Sequence, residues 1–128
     1  MKKRIKKKFK DIIIMEENFK NLRLAEAICH IVQTAIRYEV EHKDIHNDTV
    51  VTKVELSKDR QYAKIFIVPS SNDKNLNDKE ISAFNKISGF FRKKIAEGIR
   101  VRAIPDITFV IDYGFRKGEE VLDLLKKI

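Results

Sequence analysis

The run TVVTKVELSKDRQYAKIFIV at 49–68 constrains the fold of this chain more than any other segment. Residues 49–56 and 61–68 are rich in β-branched and aromatic side chains that alternate with period two, the pattern of half-buried strands. In the first, Val50, Thr52, Val54 and Leu56 fall on one face. In the second, Ala63, Ile65 and Ile67 share one face and Tyr62, Phe66 and Val68 the other. Only Ser57-Lys58-Asp59-Arg60 separates them, so the pair predicts an antiparallel hairpin. Pro69 ends it, because proline has no N–H to give to a ladder. A lone hairpin is marginal in water, so one face must be covered by what flanks it.

The flanks carry helical periodicity. Leu22, Ala25, Ile28, Val32, Ala35 and Ile36 recur on one helix face, predicting a helix over about 21–41 with Asn21 as its N-cap and Val40 extending its stripe. After a polar loop at 70–77, Asp78 is placed to cap a second helix, in which Ile81, Phe84, Ile87 and Phe91 share a face. Ser88-Gly89 interrupts that pattern, which resumes through Ile95 and stops at Gly98. Glycine inside a helix costs about 1 kcal/mol relative to alanine, so its presence predicts a bend or a close approach beside Arg92, Lys93 and Lys94. A packing glycine next to a solvated basic face fits the same residues. Pro105 precedes a last strand at 107–112, with Ile107, Phe109 and Ile111 alternating, and residues 116–127 predict a short helix using Val121, Leu124 and Leu125. The order helix-strand-strand-helix-helix-strand gives an α+β fold, a three-stranded sheet with helices on one face.

Charge is concentrated in two places. The 128 residues carry a net +8. Lys2, Lys3, Arg4, Lys6, Lys7, Lys8 and Lys10 put +7 into the first ten residues, and Lys86, Arg92, Lys93, Lys94, Arg100 and Arg102 against Glu97 put +5 into 86–102, leaving −4 for the remainder. This is the footprint of a protein that binds a polyanion. Residues 1–20 read as a basic N-terminal extension whose like charges disfavour compact structure, with Ile12 to Met15 able to pack on the domain or form a short helix, and 21–128 as one domain. The lysine run suits RNA, an anionic lipid surface or plain solvation; the short apolar run Ile12 to Met15 is a weak second membrane signal. No apolar run is long enough to span a membrane, and none resembles a secretory leader. The single cysteine, Cys29, permits no internal disulfide and points to a reducing, cytoplasmic location.

Nothing in the chain marks catalysis. His42 and His46 have the i, i+4 spacing of a zinc helix, but Lys43 stands where a metalloprotease needs its glutamate, and Asp44 and Asn47 favour a turn. The carboxylates are scattered, and no phosphate-cradling loop of the Walker type occurs. No cofactor or metal is therefore expected, and a small hydrolase is the weakest of the alternatives.

Three pieces together resemble the bacterial ribosome-binding factor A family: LRLAEAICHIVQTAI at 22–36, VVTKVELSKDRQYAKIFI at 50–67 and FNKISGFFRKKIAEGIRVRAIPDITFVID at 84–112. The resemblance covers about residues 22–125. It implies a KH-like domain of type II with a kinked helix pair at Ser88-Gly89 in place of the GXXG clamp of ordinary KH domains, and no GXXG occurs here. Ile87 stands where the family usually has alanine, adding bulk at the approach of the two helices. The function it implies is non-enzymatic assistance to small-subunit (30S) biogenesis and 16S rRNA maturation, with the small subunit and its rRNA as partners and the protein a monomer. Lys86, Ser88, Gly89, Arg92, Lys93, Lys94, Arg100 and Arg102 are the expected RNA contacts. A stand-alone KH-like protein acting on other RNAs is the alternative. With no evident aromatic platform, recognition of RNA shape and backbone is expected over base reading.

Overall fold

The computed structural model describes residues 2–115, with side chains from Phe19 onward. The helix expected at 116–127 lies outside the described residues. Helix α1 spans Lys2–Tyr38, so it begins at Lys2 and not at Asn21. The chain has no glycine or proline before Pro69, and its lysines, glutamates and leucines are good helix formers. Asn21 is an interior helix residue whose Oδ1 accepts from Arg60 Nε. The docked face is made by Ala25, Ile28, Val32, Ala35 and Ile36, all buried, whereas Leu22 is exposed. Past the end of α1, Val40 is buried, and its N–H and that of Glu39 both donate to Ala35 O, at 3.0 and 2.9 Å. Asn47 Nδ2 donates to Ile36 O at 2.9 Å and to Val40 O at 3.2 Å, satisfying carbonyls that a helix end leaves open.

Strands β1 (Val50–Leu56) and β2 (Tyr62–Val68) pair antiparallel, and β3 (Asp106–Ile111) lies parallel to β2, giving the order β1-β2-β3. The phase of β2 is the expected one, with Ala63, Ile65 and Ile67 buried. The phase of β1 is not. Val51 pairs with Ile67 and Lys53 with Phe66, so Thr52 is the extra residue of a β-bulge. Val51 is consequently buried and Val50 exposed, and beyond the bulge Val54 and Leu56 return to the helix-facing side opposite Ile65 and Ala63. Thr52 Oγ1 donates to Asp112 Oδ2 at 2.6 Å. That bond, followed by the Phe115 N–H, holds the Asp112 carboxyl below its ordinary range. The clasp is thus complete at neutral pH and is lost only as pH falls through the lowered value.

Helix α2 spans Lys74–Lys86. Its cap is Asp73, not Asp78: Asp73 Oδ1 accepts from Asn75 N at 2.9 Å and Leu76 N at 3.4 Å. Helix α3 spans Ser88–Gly98, and Ile87 between the two has φ −101° and ψ 21°, outside helical geometry. The break therefore falls on the half-buried Ile87, with Ser88 and Gly89 opening the second helix.

All three helices cover one face of the sheet, and the core between is aromatic at its centre. Phe84, Phe91 and Phe109 have ring centroids 4.9 to 5.9 Å apart, ringed by Ile28, Val32, Ile36, Ile65 and Ile95. Polar side chains tie the sheet edges to the helices. Asn85 of α2 donates to Phe109 O at 3.2 Å and accepts from Phe109 N at 2.8 Å. Gln33 of α1 donates to Thr49 O at 3.1 Å and accepts from Val51 N at 2.7 Å. Asn85→Ala strands both groups of Phe109 and should lower stability by about 1–3 kcal/mol in urea unfolding. A loss below about 0.5 kcal/mol would show that water replaces the amide without cost.

Candidate nucleic-acid interface

The hairpin turn sets one wall of the site. Ser57 N donates to Tyr62 O at 2.9 Å and Arg60 N to Ser57 O at 3.0 Å, closing a tight turn. Arg60 has φ 60°, the left-handed region that favours glycine. A side chain there costs about 1 kcal/mol, and such strain concentrates at functional sites. The position directs the Arg60 guanidinium toward Asn21 of α1. Ser57 Oγ donates to Asp59 Oδ1 at 2.7 Å and Gln61 N to the same oxygen at 3.1 Å, and these bonds, in that order, hold the Asp59 carboxyl below its ordinary range.

The opposite wall is the connection between α3 and β3. Arg92 Nε donates to Pro105 O and Nη2 to Ile104 O, both at 3.2 Å, and the guanidinium lies 3.7 Å from Asp106. This staple fixes the path of residues 99–105, which carry Arg100 and Arg102. Between the walls is an open cavity of about 710 Å³, whose lining holds four arginines, Arg60, Arg92, Arg100 and Arg102, against two carboxylates, Asp59 and Asp106, together with Tyr62 and Leu24. Arg100 and Arg102 are exposed and have no hydrogen bond or ion pair among the described residues. Two free guanidinium groups beside two anchored ones form a ready cradle for phosphate oxygens.

Of the eight residues singled out in the sequence, Arg92, Arg100 and Arg102 meet at this cavity. The others do not line it. Lys94 bridges α3 to the end of α1, 3.2 Å from Glu39 and 3.8 Å from Glu97, with its ammonium 5.6 Å from the Phe90 ring centroid. Lys86 and Lys93 are exposed and carry no ion pair among the described residues. Ser88 and Gly89 open α3. A Cβ at Gly89 would meet nothing within 4 Å, and its φ is not positive. Close packing belongs instead to Gly98, where a Cβ would come to 2.8 Å from Ile31 Cδ1. Gly89→Ala should therefore keep the break at Ile87 and raise stability by about 0.5–1 kcal/mol, read as a higher melting temperature. A destabilised variant would show that the helix junction does need glycine. Any loss of RNA affinity in a stable Gly89→Ala protein reports RNA touching that surface and not straightening of the helix pair.

Arg60 and Tyr62 are absent from the sequence candidates. Arg60 sits in a turn and Tyr62 at a strand start, and the residues that give them company are some 40 positions away. No local signal marks them, because an arginine in a turn carries no hint of a positive φ, which glycine or asparagine would have given. His42 and His46 lie in an irregular loop, with His42 Nδ1 accepting from Asp44 N at 3.1 Å. Among the described residues no cluster of three or more His, Cys, Asp or Glu is placed to hold a metal, and no helix is long and apolar enough to cross a membrane.

The layer order, the broken helix pair and the arginine cavity define a small KH-like α+β domain with an arginine-lined groove. The fold matches the crystal structure of ribosome-binding factor A from Thermus thermophilus, with a TM-score of 0.59 over 71% of this chain and 94% of that one at 15% identity. The ribosome-binding factor A family model matches residues 20–125, and the chain belongs to that family. Ribosome-binding factor A of Thermosynechococcus vestitus is 34% identical over 107 residues, 83% of this chain and 84% of the relative. The Clostridium perfringens protein of the same description is 27% identical over 111 residues, 87% and 96% of the two chains.

Proposed function

We propose that this protein binds free, immature small ribosomal subunits through their rRNA and assists 16S rRNA maturation as a cytoplasmic monomer, with no catalytic step of its own. The observation that carries this reading is the convergence of Arg60, Arg92, Arg100 and Arg102 on one cavity in a member of a ribosome-binding family. Those side chains supply the phosphate contacts. Lys86, Ser88, Gly89, Lys93 and Lys94 extend the binding surface along α3, a secondary track for the same backbone. Residues 1–20 act as a basic extension that adds sequence-independent attraction.

The test is co-sedimentation with purified small-subunit precursors, mature small subunits and large subunits, followed by cross-linking and mapping of the RNA. Enrichment on precursors with cross-links in 16S rRNA supports the reading. Cross-links confined to other transcripts would make the protein a stand-alone RNA binder. Deletion of residues 1–17 should leave the domain folded, since the buried core residues of α1 among those described, Ala25, Ile28, Val32, Ala35 and Ile36, all lie beyond the cut. Affinity for RNA in general should fall while the preference for precursors stays. An unfolded truncation, seen by circular dichroism, would place residues 12–15 in the core.

A further inference from the structure

Tyr62 is 60% exposed although it sits in the central strand. It is also the residue at which two hollows meet. On one side is the arginine cavity. On the other is a shallower hollow of about 300 Å³ on the uncovered face of the sheet, with Lys64 and Thr108 in its lining. A planar ring thus forms the ridge between a cationic groove and an open sheet surface.

The charges around that ring are unevenly satisfied. Two of the nearby carboxylates are ion-paired, Asp106 at 3.7 Å from Arg92 and Glu55 at 3.3 Å from Lys53, whereas Asp59 accepts only from the neutral Ser57 Oγ and Gln61 N and keeps its charge. Arg100, Arg102 and Lys64 have no such partner among the described residues. The cations left to neutralise a ligand therefore lie on both sides of an exposed aromatic ring. A backbone crossing the ridge would meet positive charge before and after it, with the ring beneath whatever lies between two phosphates. In a nucleic acid that is a base. A base inside a duplex has both faces covered by its neighbours, so only an unpaired one can lie on the ring.

Resting on the proposal that the groove binds RNA, we infer that Tyr62 is a platform on which one unpaired base of a single-stranded segment stacks, with the flanking phosphates held by Arg100 and Arg102 on one side and Lys64 on the other. This makes the site selective for single strands, a preference that phosphate binding alone does not give. Sequence selectivity at the platform is weak, because every base has a π-face.

The full-length protein is titrated into a short labelled RNA strand, alone or annealed to its complement, with fluorescence anisotropy as the readout. The single strand should bind more tightly than the duplex. Tyr62→Ala should weaken single-strand binding about 5- to 100-fold with the salt dependence unchanged, and Tyr62→Phe should bind like the parent. Arg102→Glu should instead flatten the log–log salt slope by about 0.7 for each phosphate it no longer neutralises. Iodouridine in the strand, irradiated in the complex and mapped by mass spectrometry, should attach to Tyr62, which tests the stacking without any substitution. Equal binding by Tyr62→Ala, a duplex bound as tightly as the strand, or photo-attachment elsewhere overturns the platform. If the strand is not bound but small-subunit precursors are, the platform falls and the RNA-binding function stands. If neither is bound, both fall.

Discussion

Phe91→Ala is expected to cost about 3–5 kcal/mol, the range for deleting a fully buried aromatic ring and a large fraction of the stability of a typical domain. Phe91 has no exposed surface and sits at the junction of three elements. Its ring centroid is 5.9 Å from that of Phe84 in α2 and 5.0 Å from that of Phe109 in β3, with Phe90 edge-on at 5.3 Å. The cavity left by alanine is walled by the rigid rings of two other elements, so it collapses poorly, and the cavity term adds to the lost burial. Urea unfolding is the measurement. A cost below about 2 kcal/mol would show that α3 shifts to refill the space, and that its position relative to β3 is adjustable. Phe91→Leu, which keeps most of the apolar volume, should lose about half as much.

Reversing Arg100 and Arg102 together to Glu is expected to weaken binding to RNA or small-subunit precursors by at least about 100-fold. Charge-assisted hydrogen bonds contribute about 1.5–3 kcal/mol each, and repulsion from the introduced carboxylates adds to their loss. Neither side chain makes a bond within the described protein, so the fold and its urea midpoint should be unchanged. The log–log salt slope should flatten by roughly 0.7–0.9 for each phosphate no longer neutralised. Arg92 is the wrong residue for this test, because its guanidinium holds Ile104 O and Pro105 O, and its loss would move the connection that carries the other two. Unchanged affinity and slope in the double variant would make the cavity a solvated surface.

The strands are legible because each announces itself locally. Ala63, Ile65 and Ile67 alternate with outward residues, and so do Ile107 and Phe109, and burial follows that alternation. The first strand misleads because its phase is set by a bulge whose extra residue, Thr52, is held by Asp112, 60 positions away. Helix starts mislead where a good cap residue lies inside a helix: Asn21 and Asp78 have the right chemistry, but the hydrogen-bonding ladder has already begun before them. The glycine in the helix pair points to a real break but not to its cause, which is the backbone of Ile87. The basic residues of the groove are half legible. Arg92, Arg100 and Arg102 are close in sequence and form a visible cluster, whereas Arg60 and Tyr62 join them only through the pairing of β2 with β3, where Tyr62 lies opposite Asp106.

Asn85 has a consequence for how the protein keeps its own company. Phe109 lies near the middle of the free edge of β3, and both of its outward-pointing backbone groups are occupied by one side-chain amide. An incoming strand would have to displace that amide to register on a six-residue edge, and without the central pair it has too few bonds to hold. The amide therefore acts as a molecular stopper against strand-by-strand growth, and its removal should reveal itself in light scattering at high protein concentration as well as in the unfolding curve.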